Sequence, residues 1–350
     1  ILYSGTPLQI VVQQMFSGLN NYVLLAIPFF IVSGTIASRG STSKYLCQVM
    51  TIIFGRMRGG SVIAAVAACA FFAAISGSSF ATIVAIGSIM LPSLKEQEFP
   101  DEMSIGCITA GGSIGVLIPP SAPMIALCVA LGSSVGRQFM AGVVPGLILA
   151  LAWGVYTYVV CSIKKYGKPI RYSFSEAKGI IFKAIPALLY PVIILGSIYG
   201  GLATPTESAA ISIVYVILVE LFVYRTTSFK DLFNAFKNSL VNSAGITFII
   251  SASQLLTWFT TTQRLPAIIS DWIVTTITSP TVFLLVIMGI FFVAGCFMEL
   301  VALMIILGPI LSPTLASYGV DPIHFGIICV MAAQVSYLTP PFGMNLFVTM

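Results

Sequence analysis

The chain has 350 residues, of which 58% are hydrophobic and only 8% charged, with a mean hydropathy of +1.03, where a soluble domain carries roughly 25% charged residues. This excludes a soluble enzyme or binding module and describes a polytopic membrane protein. The net charge of +5 would suit an anionic partner, but its distribution reads better as membrane topology, and nothing in it points to nucleic acid. The chain opens on Ile1 and stops at Met350 inside an apolar run, so it is expected to be a portion of a longer one. Its cysteines (Cys47, Cys69, Cys107, Cys128, Cys161, Cys296 and Cys329) stand singly, without CxxC pairs or a histidine cluster. They read as small core residues, with neither a disulfide framework nor a metal centre implied.

In chain order, residues 7–18 form an amphipathic interfacial stretch and 21–38 a first span, closed by Arg39 and Gly40. Residues 42–58 carry Lys44, Arg56 and Arg58 and are expected to lie along the membrane surface. A fifteen-residue apolar stretch from Ser61 to Ile75 then meets Ser76-Gly77-Ser78-Ser79, and a second apolar arm runs to Leu91 and Pro92. At 1.5 Å per residue the first arm reaches roughly 22 Å, short of the roughly 30 Å hydrocarbon core, which predicts a re-entrant hairpin with a polar tip inside the protein. A charged turn, Lys95 to Glu102, leads to a broken span at 103–131, a span at 142–163, a basic loop at 164–183, spans near 184–199 and 207–224, a surface helix near 228–237 and a span at 240–261. A second hairpin follows at about 280–313, with its tip at Gly295 to Glu299, and the last segment is a second broken span, 323–350.

The breaks come from proline pairs. Pro119 and Pro120 have no N–H to return to the carbonyls of Gly115 and Val116; Pro340 and Pro341 do the same to Ser336 and Tyr337. Such carbonyls cost several kcal/mol each in hydrocarbon unless something binds them. Sliding the chain by 221 residues pairs Pro119-Pro120 with Pro340-Pro341, Pro92 with Pro313, Gly87 with Gly308 and Asn21 with Asn242. The organisation expected is repeat 1 over 7–125, linking scaffold spans over 126–227, and repeat 2 over 228–346. With the loop at 164–183 taken as cytoplasmic, all but Arg137 and Arg264 of the sixteen Lys and Arg fall inside. The intervening number of spans is odd, so the second copy is inverted. An inverted repeat with two hairpins and two discontinuous helices is the pattern of a secondary transporter.

The stranded carbonyls, with the hydroxyls of Ser76, Ser78, Ser121 and Thr339, form oxygen-only cages suited to a hard cation such as Na⁺. Helix N-termini ending at mid-depth would hold an anionic group without a buried arginine. At the 221 offset Glu299 takes the place of Ser78; it is either an ion ligand or a protonated structural residue. Glu207, in Thr204-Pro205-Thr206-Glu207, is either a partner for a helix dipole or an ion ligand. His324 reads as interfacial.

The motifs SGSSxAT at 76–82, GxLIPPS at 115–121, ATPTE at 203–207, GCFME at 295–299 and LTPPxGxN at 338–345 together resemble the large membrane subunit of tripartite ATP-independent periplasmic (TRAP) transporters. The resemblance spans nearly all of the chain. It implies an elevator-type carrier of the bacterial inner membrane, driven by a Na⁺ gradient, that takes a sialic acid or C4-dicarboxylate from a periplasmic substrate-binding protein. It also implies a small membrane (Q) subunit, separate or fused, and no enzymatic activity. By the same resemblance one Na⁺ site maps onto Ser76, Ser78, Gly115, Ile118 and Pro120, and a second onto Glu299, Thr339, Pro341 and Met344. Gly77, Ser79, Gly112, Ser121, Gly295, Gly343 and Asn345 would line the substrate site. Many members have Asp where this chain has Glu299. The rivals are a carrier that works without a binding protein, of dicarboxylate or citrate type, an intramembrane serine protease using Ser76 or Ser78, and a passive channel.

Overall fold

Each hairpin tip is built by a helix stop placed next to a helix start. Helix α4 (Gly60–Ser76) ends at Gly77, whose φ of 62° is left-handed and whose N–H donates to Ala73 O. Ser78 is extended, accepts from Ala81 N through its side chain at 3.5 Å and opens α5 (Ser79–Glu96). The computed structural model describes residues 7–349 and is helical throughout, with no strand among the described residues. Before the first hairpin come α1 (Leu8–Leu19), α2 (Ala26–Arg39) and α3 (Ser41–Phe54); after it come α6 (Asp101–Ser113), a 3₁₀ turn at Ile114–Val116, and α7 (Ala122–Leu131). The span expected at 103–131 is therefore broken where its prolines stand. Both the Pro119–Pro120 and the Pro340–Pro341 bonds are cis.

The linking part contains α8 (Val135–Lys164), α9 (Phe174–Tyr199) and α10 (Pro205–Leu218), the last continued by a π-helical turn at Val219–Tyr224. Thr204 and Glu207 form a capping box at the start of α10, so Glu207 serves the helix N-terminus as its dipole requires. The second half has α11 (Phe229–Thr262), α12 (Leu265–Thr276), α13 (Pro280–Gly295), α14 (Leu300–Tyr318), α15 (Pro322–Ser336) and α16 (Met344–Thr349). Among the described residues six helices are long and apolar enough to cross a membrane, the first running from Tyr22 to Arg39. Elements recur at the 221 offset: α5 begins at Ser79 and α14 at Leu300, α6 at Asp101 and α15 at Pro322. His324 lies in the first turn of α15, where Asp321 caps the helix by accepting from Ile323 N and His324 N.

Two sequence expectations need correction. The surface helix at 228–237 and the span at 240–261 are one unbroken helix, α11, and its polar residues bond within it: Ser239 Oγ donates to Ala235 O and Thr247 Oγ1 to Ser243 O, both at 2.8 Å. In the first half the same stretch does break, because Asn21 accepts from Val23 N and starts a 3₁₀ turn at Tyr22–Leu25. Helix α12, in register with α3, was missing from the expected elements. Helix α3, expected at the surface, buries Leu46, Cys47, Val49 and Met50 and packs against α4 and α9.

The start of α3 is held by a buried carboxylate. Glu220, in the π-helical turn, is fully buried and accepts from Ser41 N and Thr42 N, each at 2.9 Å, and from Thr42 Oγ1 at 2.6 Å. A Cβ on Gly40 would collide with it. The bond joins the linking helices to the chain immediately after Arg39.

Candidate functional site

The first tip packs against the first broken loop. A Cβ on Gly77 would stand 2.8 Å from Pro120 O, and Ala122 N meets Gly77 O at 3.5 Å. Ser76 Oγ and Thr82 Oγ1 are 2.9 Å apart, and both donate toward Ser78 O, at 3.2 and 2.8 Å. A Cβ on Gly115 would lie 3.5 Å from Thr82 Oγ1. Ser76, Ser78, Gly115 and Pro120 are thus drawn around Gly77 and Thr82. Ile118 turns its side chain to α8, where Gly146 leaves room for it, while Gly142 admits Leu117 O one turn away. Gly112 is packed on Ile83 of α5. Ser121 is fully buried, and its Oγ has no hydrogen-bond partner among the described residues. A buried hydroxyl without a partner, beside several carbonyls and hydroxyls, is a donor set that fits a hard cation.

The second tip differs in detail. Glu299 caps α14, its carboxylate accepting from Ala302 N at 3.1 Å, as Ser78 Oγ accepts from Ala81 N. Gly295 packs directly on Ser336, and the Phe297 and Phe342 rings meet edge to face at 6.0 Å, so tip and loop touch. The expected stranding of the Ser336 and Tyr337 carbonyls does not occur. Ser336 O accepts from Thr339 N at 3.0 Å and Tyr337 O from Asn345 N at 3.2 Å, because the loop folds back on itself. Thr339 Oγ1 donates to Val335 O at 2.9 Å, and Gly343, with φ of 52°, sits under Thr339 O. Pro341 is exposed and Met344 half-buried. The four residues assigned to a second cation thus lie on one tip and one loop, with Glu299 engaged at its own helix.

The two halves are joined at this level. Ser79 Oγ donates to Asn345 Oδ1 at 2.9 Å, leaving the Asn345 Nδ2 buried without a hydrogen-bond partner among the described residues. Phe80 stacks on Tyr337 at 5.5 Å, and the Tyr337 hydroxyl accepts from Leu300 N at 2.9 Å. Tyr337 therefore touches both hairpins.

Beside the first tip lies a cavity of about 650 Å³. From Ser76 and Ser78 it follows α5 as far as Ser88, ten residues or about 15 Å of helix. Thr35, Ser38, Asn242 and Phe80 also line it, and its one charged lining residue is Arg39, which is exposed and makes no hydrogen bond among the described residues. Sequence reasoning read Arg39 as the end of a span and missed it, along with Thr82, Phe80 and Asn242. The signal was available in part: Asn242 pairs with Asn21 at the 221 offset, and Thr82 closes the SGSSxAT motif.

A family model described as tripartite ATP-independent periplasmic transporter, DctM component, matches residues 1–350. The chain is 40% identical over 349 residues to the C4-dicarboxylate TRAP transporter large permease protein DctM of Pseudomonas aeruginosa, covering 100% of this chain and 82% of that protein. It is 31% identical over 348 residues to the sialic acid TRAP transporter large permease protein SiaM of Vibrio cholerae, covering 99% and 82%. It is 36% identical over 343 residues to the isethionate TRAP transporter permease protein DctMQ of Oleidesulfovibrio alaskensis, covering 98% and 54%. Among solved structures, the YdaH transporter of Alcanivorax borkumensis superposes with a TM-score of 0.69 at 13% identity, over 97% of this chain and 78% of that one. At that identity the likeness speaks for the fold alone.

Proposed function

Because this chain belongs to the tripartite ATP-independent periplasmic transporter family as its DctM component, we propose that it carries a small organic acid into the cell by Na⁺ symport, with the tip cavity as the substrate site. The observation that carries this reading is Arg39. It is the one charged side chain lining a cavity otherwise walled by hydroxyls, an amide and apolar groups, and that cavity begins at the tip whose oxygens suit a hard cation. An Arg fork holds a carboxylate through two parallel hydrogen bonds. A cation at Ser76, Ser78, Gly115 and Pro120, with the Ile118 carbonyl as a further ligand, would place positive charge next to the same anion and couple the two.

A C4-dicarboxylate is the first substrate to test, on the strength of the Pseudomonas relative; a sialic acid is the second. The family description and the relatives' names support a periplasmic substrate-binding protein as donor, and the name DctMQ supports a small Q subunit that is fused in some members. On this reading the chain sits in the bacterial inner membrane, and the hairpins and broken helices travel as one body against the remaining spans.

The test is uptake of radiolabelled succinate into vesicles holding this chain, its small subunit and the cognate binding protein. Uptake should need an inward Na⁺ gradient and fall to background with choline. Arg39→Gln should raise the KM for a dicarboxylate at least tenfold. Full uptake in choline would end the symport reading; uptake without binding protein would favour a carrier that loads itself.

A further inference from the structure

A second cavity, of about 500 Å³, lies where α3, α4 and α8 meet. Its walls are almost wholly apolar, with Ile53 and Met57 on one side, Phe71 on a second, and Leu151, Val155 and Tyr158 on the third. All six are exposed at the protein surface. Transport as read above makes no use of it.

One end of this groove is basic. Helix α3 ends at Phe54, and the turn that follows carries Arg56 and Arg58, both exposed, around the groove residue Met57. Gly59 packs directly on Cys161 of α8, one turn from Lys164 and Lys165, which are also exposed. Ile170 N donates to Gly55 O at 2.8 Å, bringing the segment with Lys168 and Arg171 against the same turn. The Phe99 ring packs on Gly167, which brings the turn carrying Glu96, Glu98, Asp101 and Glu102 into the same region. Six cations, Arg56, Arg58, Lys164, Lys165, Lys168 and Arg171, therefore gather at one end of an apolar slot, beside a turn with four carboxylates.

The slot is apolar along its walls, open at the protein surface and basic at one end only. A flexible chain fits, and cations confined to one end call for a negative head on that chain. We propose that the groove binds one anionic phospholipid of the cytoplasmic leaflet, with an acyl chain between α3, α4 and α8 and the phosphate held by Arg56, Arg58, Lys164 and Lys165.

Two variants separate head from tail. Gly154 lines the groove and has open space where a Cβ would go, so Gly154→Leu fills the slot without a clash. Replacing Arg56, Arg58, Lys164 and Lys165 by Gln removes the rim at exposed positions. The purified full chain is exchanged into mixed phosphatidylglycerol and phosphatidylcholine, and the lipid retained per protein is measured by native mass spectrometry. The wild type should retain one phosphatidylglycerol at least tenfold in preference to phosphatidylcholine, and each variant should lose that preference. Equal retention of the two lipids by the wild type overturns the proposal. So does undiminished retention by Gly154→Leu, which would mean that the head is held at the surface with no chain in the groove.

Discussion

Around Pro119 and Pro120 the broken loop is sealed: both prolines and Ser121 are buried, Gly142 and Gly146 of α8 close over Leu117 and Ile118, and the Gly77 tip rests on Pro120 O. Around Pro340 and Pro341 the backbone is instead bonded to itself through Thr339 N and Asn345 N. One motif, repeated, thus gives two surroundings. In the first half the neighbour is the glycine-faced helix α8, so local sequence makes the break and tertiary packing determines which backbone oxygens a ligand finds.

The sharpest way to test the difference is at the two left-handed glycines. Gly77→Ala adds a Cβ at 2.8 Å from a backbone oxygen, on top of about 1–2 kcal/mol for the left-handed conformation, and should cut uptake more than tenfold. Gly343→Ala meets first the end of a leucine side chain, Leu346 Cδ1 at 2.7 Å, and a backbone oxygen, Thr339 O, only at 3.1 Å, and should cost less. Equal losses of uptake would erase the distinction between the two loops.

Next comes Tyr337→Phe, which strips the buried Leu300 N–H of its acceptor and should lower stability by about 1–3 kcal/mol, read as the melting midpoint in detergent. The first half has Val116 at this position, so Val116 variants should leave the start of α5 untouched. A smaller effect is expected for the joint between halves. Ser79→Ala and Asn345→Ala together should show a coupling of about 1 kcal/mol in a double-mutant cycle, and additive losses would mean that the bond contributes nothing. Smallest of all is Glu299→Ser. Serine already caps the equivalent helix in the first half, so stability should change by less than about 1 kcal/mol. If the carboxylate also ligates Na⁺, the same variant will raise the Na⁺ concentration needed for half-maximal uptake; an unchanged Na⁺ response would leave Glu299 a cap alone.

The hairpins and breaks were legible because their causes are local: a glycine stop beside a serine start, and two prolines that withhold N–H groups. The continuity of α11 was not, since Ser239 and Asn242 look like the end of a surface helix until the Ser239 hydroxyl is seen to bond within the helix and Asn242 to line the cavity. Helix α12 carries Asp271 and three threonines in or beside its last turn and has no apolar run long enough to draw notice, although α3 predicts it by offset. The placement of Arg39 could not be read either. It depends on α2 packing beside both arms of the hairpin, with Gly34 against Ser76 of α4, so that the end of α2 overhangs the flank of α5. The refolded second loop depends likewise on Asn345 reaching back eight residues to Tyr337.

Glu220 places its carboxyl group in a sealed pocket where peptide N–H groups at the head of α3, rather than a lysine or arginine, meet it. Mobile ions weaken charge pairs at the surface within a Debye length of about 8 Å at physiological ionic strength, but they do not enter such a pocket. The fastening behind Arg39 should therefore keep its strength from fresh water to brine, however much the grip of Arg39 on an anion varies between them.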